Sequence, residues 1–410
     1  MNTTVFSKLS IMMFLEFFVW GAWYVTVGNY MTEIGMTDAI YWAYTVGPIG
    51  AIISPFFLGM VADRFFATEK VLGVLHIIGG IVIFCAPFVA EGAYASPSLF
   101  IIFLLIHMLC YMPTVGLANT LAFHNMTNQE KEFPIIRVFG TVGWIVAGIL
   151  VSYVLGADKT SLPLHIAGMA GVLLGLFSFA LPHTPPPAAG EKVTARQIMG
   201  LDALAQLSSR PFIVFIISSF LICIPLAAYY SYAPVYVSAA GLSNPAFKMS
   251  FGQMSEVIFM LMVPFFFARL GVKWMLLAGM LAWVARYALF ALAAPTGVFW
   301  MIMAGVILHG ICYDFFFVAG QIYVDKKANP TIRGQAQGFL VLVTYGAGML
   351  IGAQSTGWLF NELVSGNGAD TMEQWQIYWM VPAIFAAVVM AFFAAMFYEK
   401  NAATASERGA

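Results

Sequence analysis

The sequence predicts an all-α membrane protein in which twelve transmembrane helices form two pseudo-symmetric six-helix bundles. Of the 410 residues, 61% are hydrophobic and only 9% are charged, and the mean hydropathy is +0.87. Soluble domains carry roughly 25% charged residues. So few charges cannot cover a water-soluble chain of this length, and we therefore expect its outer surface to face lipid.

The apolar residues fall into runs that are long enough to cross a bilayer, which takes about 20 residues in a helix. Twelve such runs are found, at 9–31, 39–61, 71–90, 97–124, 134–155, 163–182, 211–238, 250–268, 273–293, 297–324, 335–361 and 375–398. The polar, proline-rich segment 183–210 separates the sixth run from the seventh. We therefore predict a first bundle at 1–182, a cytoplasmic linker at 183–210, a second bundle at 211–398 and a cytoplasmic tail at 399–410.

Lysine and arginine are distributed unevenly between the two sides of this topology. With the N-terminus inside, fourteen of the eighteen cations lie in inner loops and tails, and only Lys159 and Lys248 lie in outer loops. Inner loops of membrane proteins carry such an excess of cations. We therefore expect both termini in the cytoplasm of a multi-pass protein in the bacterial inner membrane.

Other features of the composition exclude several classes of function. The net charge is -1, which gives no indication of nucleic-acid binding. The four cysteines and six histidines form no metal-like pattern, and no nucleophile triad or phosphate-binding loop is present. We therefore predict that the protein is not an enzyme and that it has no metal site and no cofactor.

The two halves of the sequence resemble each other weakly. The segment PIIR at 134–137 opens the fifth helix, and PTIR at 330–333 precedes the eleventh. Such parallel repeats surround a central binding site in many transporters. The loop after the second helix, from Gly59 to Arg64, also matches the G-x-x-x-D-R pattern that is typical of the major facilitator superfamily.

Three carboxylates, Glu16, Glu256 and Asp314, lie within the apolar runs. A charged side chain in mid-bilayer costs at least ~2.5 kcal/mol, so such residues usually face a wet cavity or a partner. Gln253 and Glu256 share one helical face, which suits either a ligand with hydroxyl and N–H groups or a buried interhelical hydrogen bond. For Asp314 the alternatives are a proton-coupling role and a fixed ion pair.

Further polar and aromatic side chains occur at helical spacing. His309 and Tyr313 share a face of the tenth helix, and His309 suits either ligand contact or neutral packing. On the fifth helix Arg137, Thr141 and Trp144 form one stripe. Arg137 could instead extend to the inner surface, and Trp144 could lie in lipid. Glu16, Trp20 and Trp23 form a similar stripe on the first helix, and Arg286 on the ninth helix is expected to form a structural charge pair.

Several segments resemble the bacterial nucleoside:proton symporters of the major facilitator superfamily. They are YMPTVGLANT (111–120), FPIIRVFGTVGW (133–144), GLDAL (200–204), QMSE (253–256), VPFFFARLGVK (263–273), YDFF (313–316) and GQAQG (334–338). The resemblance implies substrate contacts at Arg137, Thr141, Trp144, Gln253, Glu256, His309 and Tyr313, and proton coupling at Asp314. It also implies a proton-coupled importer of nucleosides that works by alternating access as a monomer in the lipid bilayer.

The chain departs from the family pattern at positions that bear on the ligand. Ala227 and Tyr230 stand where characterised members have amide side chains, and we expect Tyr230 to flank the ligand ring with Trp144. His309 stands in place of tyrosine, Trp144 in place of phenylalanine, and Glu16 in place of glutamine. Glu16 could bind a cationic group or a second proton. The alternative function is proton-coupled or passive transport of another small polar solute, such as a sugar.

Overall fold

The computed structural model describes residues 2–58, 65–93, 95–186, 194–329, 332–364 and 371–398, and these ranges are helical with no strand. The expectation of an all-α fold is thus confirmed. The Gly59–Arg64 motif, Pro330 of the second PTIR echo and the tail at 399–410 lie outside the described residues.

The first half contains six helices. Five of them are long and apolar enough to cross a membrane: α1 (Thr3–Glu33), α2 (Thr37–Phe57), α3 (Thr68–Ala90), α4 (Pro97–Asn125) and α5 (Glu132–Val154). A shorter apolar helix, α6 (Leu162–Ser178), ends before the predicted boundary at residue 182. Side chains cap two of the helices: the Thr4 N–H donates to Asn2 at α1, and Ser96 accepts from the Leu99 N–H just before Pro97 of α4.

The second half contains α7 (Arg210–Ala239), the 49-residue helical stretch Pro245–Ala293, α10 (Phe299–Lys327), α11 (Arg333–Leu363) and α12 (Thr371–Met396). Gly271 turns the long stretch by adopting φ +69°, which an L side chain rarely does. We refer to the parts before and after Gly271 as α8 and α9. Within the described ranges ten helices, with Pro245–Ala293 counted once, are long and apolar enough to cross a membrane. The turn at Gly271 and the short α6 account for the difference from twelve.

The predicted linker contains two short helices, Ala195–Ile198 and Leu201–Leu207. The Thr194 hydroxyl and the Gln197 amide form a reciprocal capping box at the start of the first one. Gly200, at φ +68°, packs directly against Gln335 and Phe339 of α11. This part of the linker therefore packs on the second half, whereas His183 and Thr184 at its start bond to Glu69 of the first half.

The same helix pairs pack together in both halves. In the first half α1 packs on α5, α3 on α6, and α2 on α4; in the second half α7 packs on α11, α9 on α12, and α8 on α10. An apolar surface groove lies between α3 and α6, and another lies at the equivalent place between α9 and α12. This repetition agrees with the echo seen in the sequence.

Burial is inverted relative to a soluble protein. Large apolar side chains such as Phe88, Leu261 and Ile384 are more than half exposed, whereas Glu16, Arg286 and Asp314 are 0% exposed. An apolar exterior with polar groups enclosed is the arrangement that a lipid environment requires.

Hydrogen bonds join the two halves at one end of the bundle, which we call the far end because the linker lies at the other. The amides of Asn29, Gln354 and Asn361 donate to Pro234 O, Thr45 Oγ1 and Asp38 O, at 3.1, 2.8 and 3.0 Å. Asp158, between α5 and α6, accepts from the Ala246 N–H of α8 at 2.9 Å. The two halves are therefore latched at the far end.

Candidate functional site

The first half contributes aromatic side chains from α1 and α5 to the interface between the halves. Trp20 contacts Trp144 with ring centroids 5.5 Å apart, and Tyr24 lies 6.1 Å from Trp144. The two helices approach closely because α5 has Gly143 against the Phe14 backbone and α1 has Gly21 against Trp144. Trp144 is thus held within the protein interface, and not in lipid.

The second half contributes a compact cluster from α7, α8 and α10. His309 Nε2 lies 3.8 Å from Glu256 Oε2, and the His309 ring lies 6.0 Å from Tyr230 and 5.7 Å from Tyr313. Glu256 keeps 15% of its side chain exposed, whereas His309 keeps 1%. The carboxylate therefore borders an accessible space, and the imidazole stands behind it.

Aromatic contacts link these two clusters across the interface. Tyr24 lies 6.0 Å from Tyr230, and Trp20 lies 5.9 Å from Tyr345 of α11. Trp144, Tyr230, His309, Tyr313 and Glu256, all predicted from sequence, are thereby joined into one continuous site. Sequence reasoning missed Tyr24 and Tyr345. Tyr24 follows Trp20 by four residues and so shared its helical face, but Tyr345 had no such signal.

The remaining predicted contact residues lie around this site. The Arg137 guanidinium packs on the Phe17 ring at 4.1 Å and is close enough to Glu256 for their charges to interact. Thr141 is half-buried one helical turn further along α5. Gln253 is 8% exposed, and its side-chain oxygen has no hydrogen-bond partner within the described chain. Arg137 therefore lies toward the interface between the halves, and Gln253 keeps an acceptor unused.

Asp314 is fully buried at an irregular point of α10. That helix is α-helical at Phe299–Ile307 and at His309–Tyr313, becomes π-helical at Asp314–Val318 and ends α-helical at Ala319–Lys327. Such π-helical turns are frequent at functional sites. Among the described residues neither carboxylate oxygen has a hydrogen-bond partner, and no cation lies within 4 Å of them. Asp314 is therefore not held in a fixed ion pair in this arrangement.

Glu16 lies in a buried polar network inside the first half. One carboxylate oxygen lies 2.8 Å from His76 Nε2 of α3, and the other accepts a 2.7 Å hydrogen bond from the Thr114 hydroxyl of α4. The Tyr111 hydroxyl donates to the Glu16 backbone oxygen at 2.7 Å. Sequence reasoning did not connect His76 with Glu16, because 60 residues separate them and nothing local relates the two positions.

Arg286 departs from its expected role as one member of a charge pair. It is 0% exposed, and within the described part of the chain no carboxylate lies within 4 Å of it. Its Nε donates to Gly305 O at 2.9 Å, and its guanidinium carbon lies 3.8 Å above the Tyr229 ring. The expectation of a carboxylate partner was wrong for this arrangement, because aromatic rings surround the cation instead.

The connection between α5 and α6 carries another buried acid. Asp158 is 6% exposed and accepts the Ser152 hydroxyl at 2.7 Å as well as the Ala246 N–H. Burial raises the pKa of Asp158, and these two hydrogen bonds and the charge of Lys248 oppose that rise. The described residues contain no cluster of potential metal ligands.

Comparisons with a family model and with known proteins agree on one family. The family model described as "Nucleoside H+ symporter" matches residues 1–402. The chain is 39% identical over 408 residues to "Putative nucleoside transporter YegT" of Escherichia coli K12, covering 96% of this chain and 94% of that protein. It is 32% identical to the nucleoside permease NupG of the same organism over 411 residues, covering 96% of each, and 30% identical to its xanthosine permease over 405 residues, covering 94% of each.

Solved structures agree with these sequence relatives. A crystal structure of the nucleoside transporter NupG matches with a TM-score of 0.84 and 29% identity over 98% of this chain and 100% of that one. A bacterial homolog of the lysosomal transporter Spinster matches with a TM-score of 0.73 but at only 15% identity, which shows a shared fold alone. The chain therefore belongs to the nucleoside H+ symporter family, whose members are membrane transporters and not enzymes.

Proposed function

We propose that this protein is a proton-coupled importer that carries nucleosides across the bacterial inner membrane by alternating access. The observation that carries the proposal is the continuous site between the halves, in which Trp144 and Tyr230 lie on one path of contacts with His309, Tyr313 and Glu256. Aromatic faces suit a planar base, and a carboxylate suits the hydroxyl and N–H donors of a nucleoside.

Each predicted residue has a role in this proposal. Trp144 and Tyr230 flank the base, and Glu256, Gln253 and Arg137 bind polar edges of the ligand. Thr141, His309 and Tyr313 complete the wall. The unused oxygen of Gln253 supports its part, because a buried polar atom without a partner costs free energy until a ligand supplies one.

Proton coupling is assigned to Asp314. An ionised carboxylate that is buried without hydrogen bonds or a cation is costly, so the present arrangement accommodates Asp314 best as the neutral acid. Release of that proton requires a rearrangement that brings water or a cation to the side chain. At 100 mV the membrane potential supplies about 2.3 kcal/mol per charge moved, which supports roughly fifty-fold accumulation.

Glu16 is proposed as a second proton-coupling residue, in the first half. Its contact with His76 allows one proton to be shared between a carboxylate and an imidazole that are both almost fully buried. Replacing Glu16 with glutamine, the residue of the characterised relatives, is expected to change the number of protons moved per nucleoside. An unchanged proton-to-nucleoside ratio would remove Glu16 from coupling.

The hydrogen bonds at the far end suggest which side of the membrane this arrangement is closed to. With the linker and both termini in the cytoplasm, the far end faces outward, so the latched arrangement would be closed to the outside. The protein is proposed to act as a monomer in the bilayer, since the residues of the proposed site all come from the two halves of one chain.

Uptake into proteoliposomes tests the function directly. We expect labelled purine or pyrimidine nucleosides to accumulate under an imposed proton gradient, and an uncoupler to abolish that accumulation. Competition by a sugar and not by nucleosides would instead indicate a sugar transporter. Equilibration without accumulation, insensitive to the uncoupler, would indicate a passive facilitator.

A further inference from the structure

A buried cation without an anion lies behind the binding site. Arg286 is 0% exposed, and its two terminal nitrogens, Nη1 and Nη2, have no hydrogen-bond partner within the described residues. Its Nε donates to Gly305 O. Burying an unpaired charge is expensive, and burying a guanidinium without partners for most of its donors is more so. Packing alone would be served better by an apolar side chain.

The cation is connected to the site through one aromatic ring. The guanidinium carbon lies 3.8 Å above the Tyr229 ring, which is a cation–π geometry. The same ring stacks on His309, with centroids 5.2 Å apart and planes 17° from parallel. Arg286 is also close enough to His309 for the two charges to interact if the imidazole is protonated. Arg286 therefore acts on His309 both through packing and through its charge.

The charge of His309 decides what Glu256 can bind. His309 Nε2 already lies 3.8 Å from Glu256 Oε2, so a protonated imidazole would form an ion pair with that carboxylate. The other groups that face His309 are Tyr229 and Tyr230 of α7 and Tyr313 of its own helix, none of which is a cation. Arg286 is thus the cation on this side that can oppose a positive imidazole, because like charges repel.

We propose that Arg286 is a positioning residue that, together with the burial of the ring, keeps His309 uncharged, so that the Glu256 carboxylate does not pair with His309 and stays available to the transported nucleoside. The inference rests on the proposed function of the Glu256 site. A neutral imidazole also presents both a donor and an acceptor to the ligand, whereas a protonated one presents donors only. This arrangement depends on the histidine at position 309.

The test compares how nucleoside affinity changes with pH in four purified proteins: wild type, Arg286→Gln, His309→Tyr and the double variant. Without Arg286 a positive imidazole loses one source of repulsion, so His309 should be protonated more readily than in wild type and withdraw Glu256 from the ligand. We expect Arg286→Gln to add about a tenfold loss of affinity between pH 7 and pH 5.5 beyond that of wild type. The added loss should be absent from the double variant relative to His309→Tyr, and Arg286→Lys should restore the wild-type profile.

A measurement on the wild-type protein keeps the proposal testable if the variants at position 286 fail to fold. Nitrogen-15 spectra of histidine-labelled protein, with the His309 signals identified by their loss in His309→Tyr, should show a neutral imidazole at pH 6. A doubly protonated His309 at that pH would overturn the proposal, as would equal pH profiles for wild type and Arg286→Gln. The spectra do not depend on which solute is carried. They therefore separate failure of this inference from failure of the nucleoside assignment.

Discussion

Replacing Asp314 with asparagine tests the coupling mechanism with little disturbance of the fold. Within the described chain neither oxygen of Asp314 has a hydrogen-bond partner, so the substitution breaks no hydrogen bond there. Asparagine has nearly the same shape as the neutral acid, and we expect the free energy of unfolding to fall by less than the roughly 1 kcal/mol that is typical of point substitutions. What is lost is the ability to release a proton.

The expected size of the effect follows from the driving force. A wild-type carrier that moves one charge per nucleoside can reach roughly fifty-fold accumulation at 100 mV, whereas an uncoupled carrier can only equilibrate, at a ratio of about one. Proteoliposomes with a potassium diffusion potential measure this ratio for both proteins. Exchange of labelled for unlabelled nucleoside, which needs no net proton movement, should be largely retained in Asp314→Asn.

Asp325 provides a matched control on the same helix. It lies at the surface in an ion pair with Arg333 at 3.0 Å, with about half of each side chain exposed. Exposed ion pairs contribute little, about 0–1 kcal/mol, and we place no coupling role there. Asp325→Asn should therefore accumulate nucleoside as wild type does. Wild-type accumulation by Asp314→Asn would refute the reasoning, because coupling would then proceed without the carboxylate.

Three further substitutions probe the ligand site, the helix packing and the far end. Glu256→Gln should weaken nucleoside binding about tenfold to a hundredfold in titration calorimetry, since a charge-assisted hydrogen bond contributes about 1.5–3 kcal/mol; unchanged affinity would exclude Glu256 from the site. Gly143→Ala should lower the melting temperature markedly, because the added methyl group would overlap the Phe14 carbonyl, whereas Gly116→Ala meets only the flexible end of Leu58 and should melt close to wild type. Burial raises the pKa of Asp158, so a proton binds more tightly in the latched arrangement than where the carboxyl is exposed, and lower pH should favour the latch. Asp158→Asn should mimic the protonated form and remove that pH dependence from spin-label distances across the far end; a pH response equal to that of wild type would assign it to another group.

The helices could be predicted because membrane-spanning helices appear in a sequence as continuous runs of apolar residues. The break between α8 and α9 was placed at 268–273, and the structure turns at Gly271. The irregular course of α10 was not predictable, because a π-helical turn at Asp314 changes the hydrogen-bond spacing without changing composition. The same holds for the π-helical segment Leu342–Gly348, which contains Tyr345.

The candidate site was predictable only within each helix. Helical spacing placed Gln253 with Glu256 and His309 with Tyr313, because neighbours three or four residues apart share a face. The contact between Tyr24 and Tyr230 depends on how one half sits against the other, and no local pattern encodes that. The absence of a carboxylate beside Arg286 could not be foreseen either, since sequence alone suggests pairing for any buried charge.

Because of the four hydrogen bonds at the far end, the apparent affinity for ligand should differ between the two sides of the transporter. At about 0.5–1.5 kcal/mol each, they favour the latched state by about 2–6 kcal/mol until new contacts at the linker end offset them. Even the lower value leaves about one molecule in thirty receptive from the far end at any moment. The apparent affinity measured from that side should then be at least thirty-fold weaker than the intrinsic one. Any contact that weakens these hydrogen bonds would therefore raise the apparent affinity from that side without a change in the binding site.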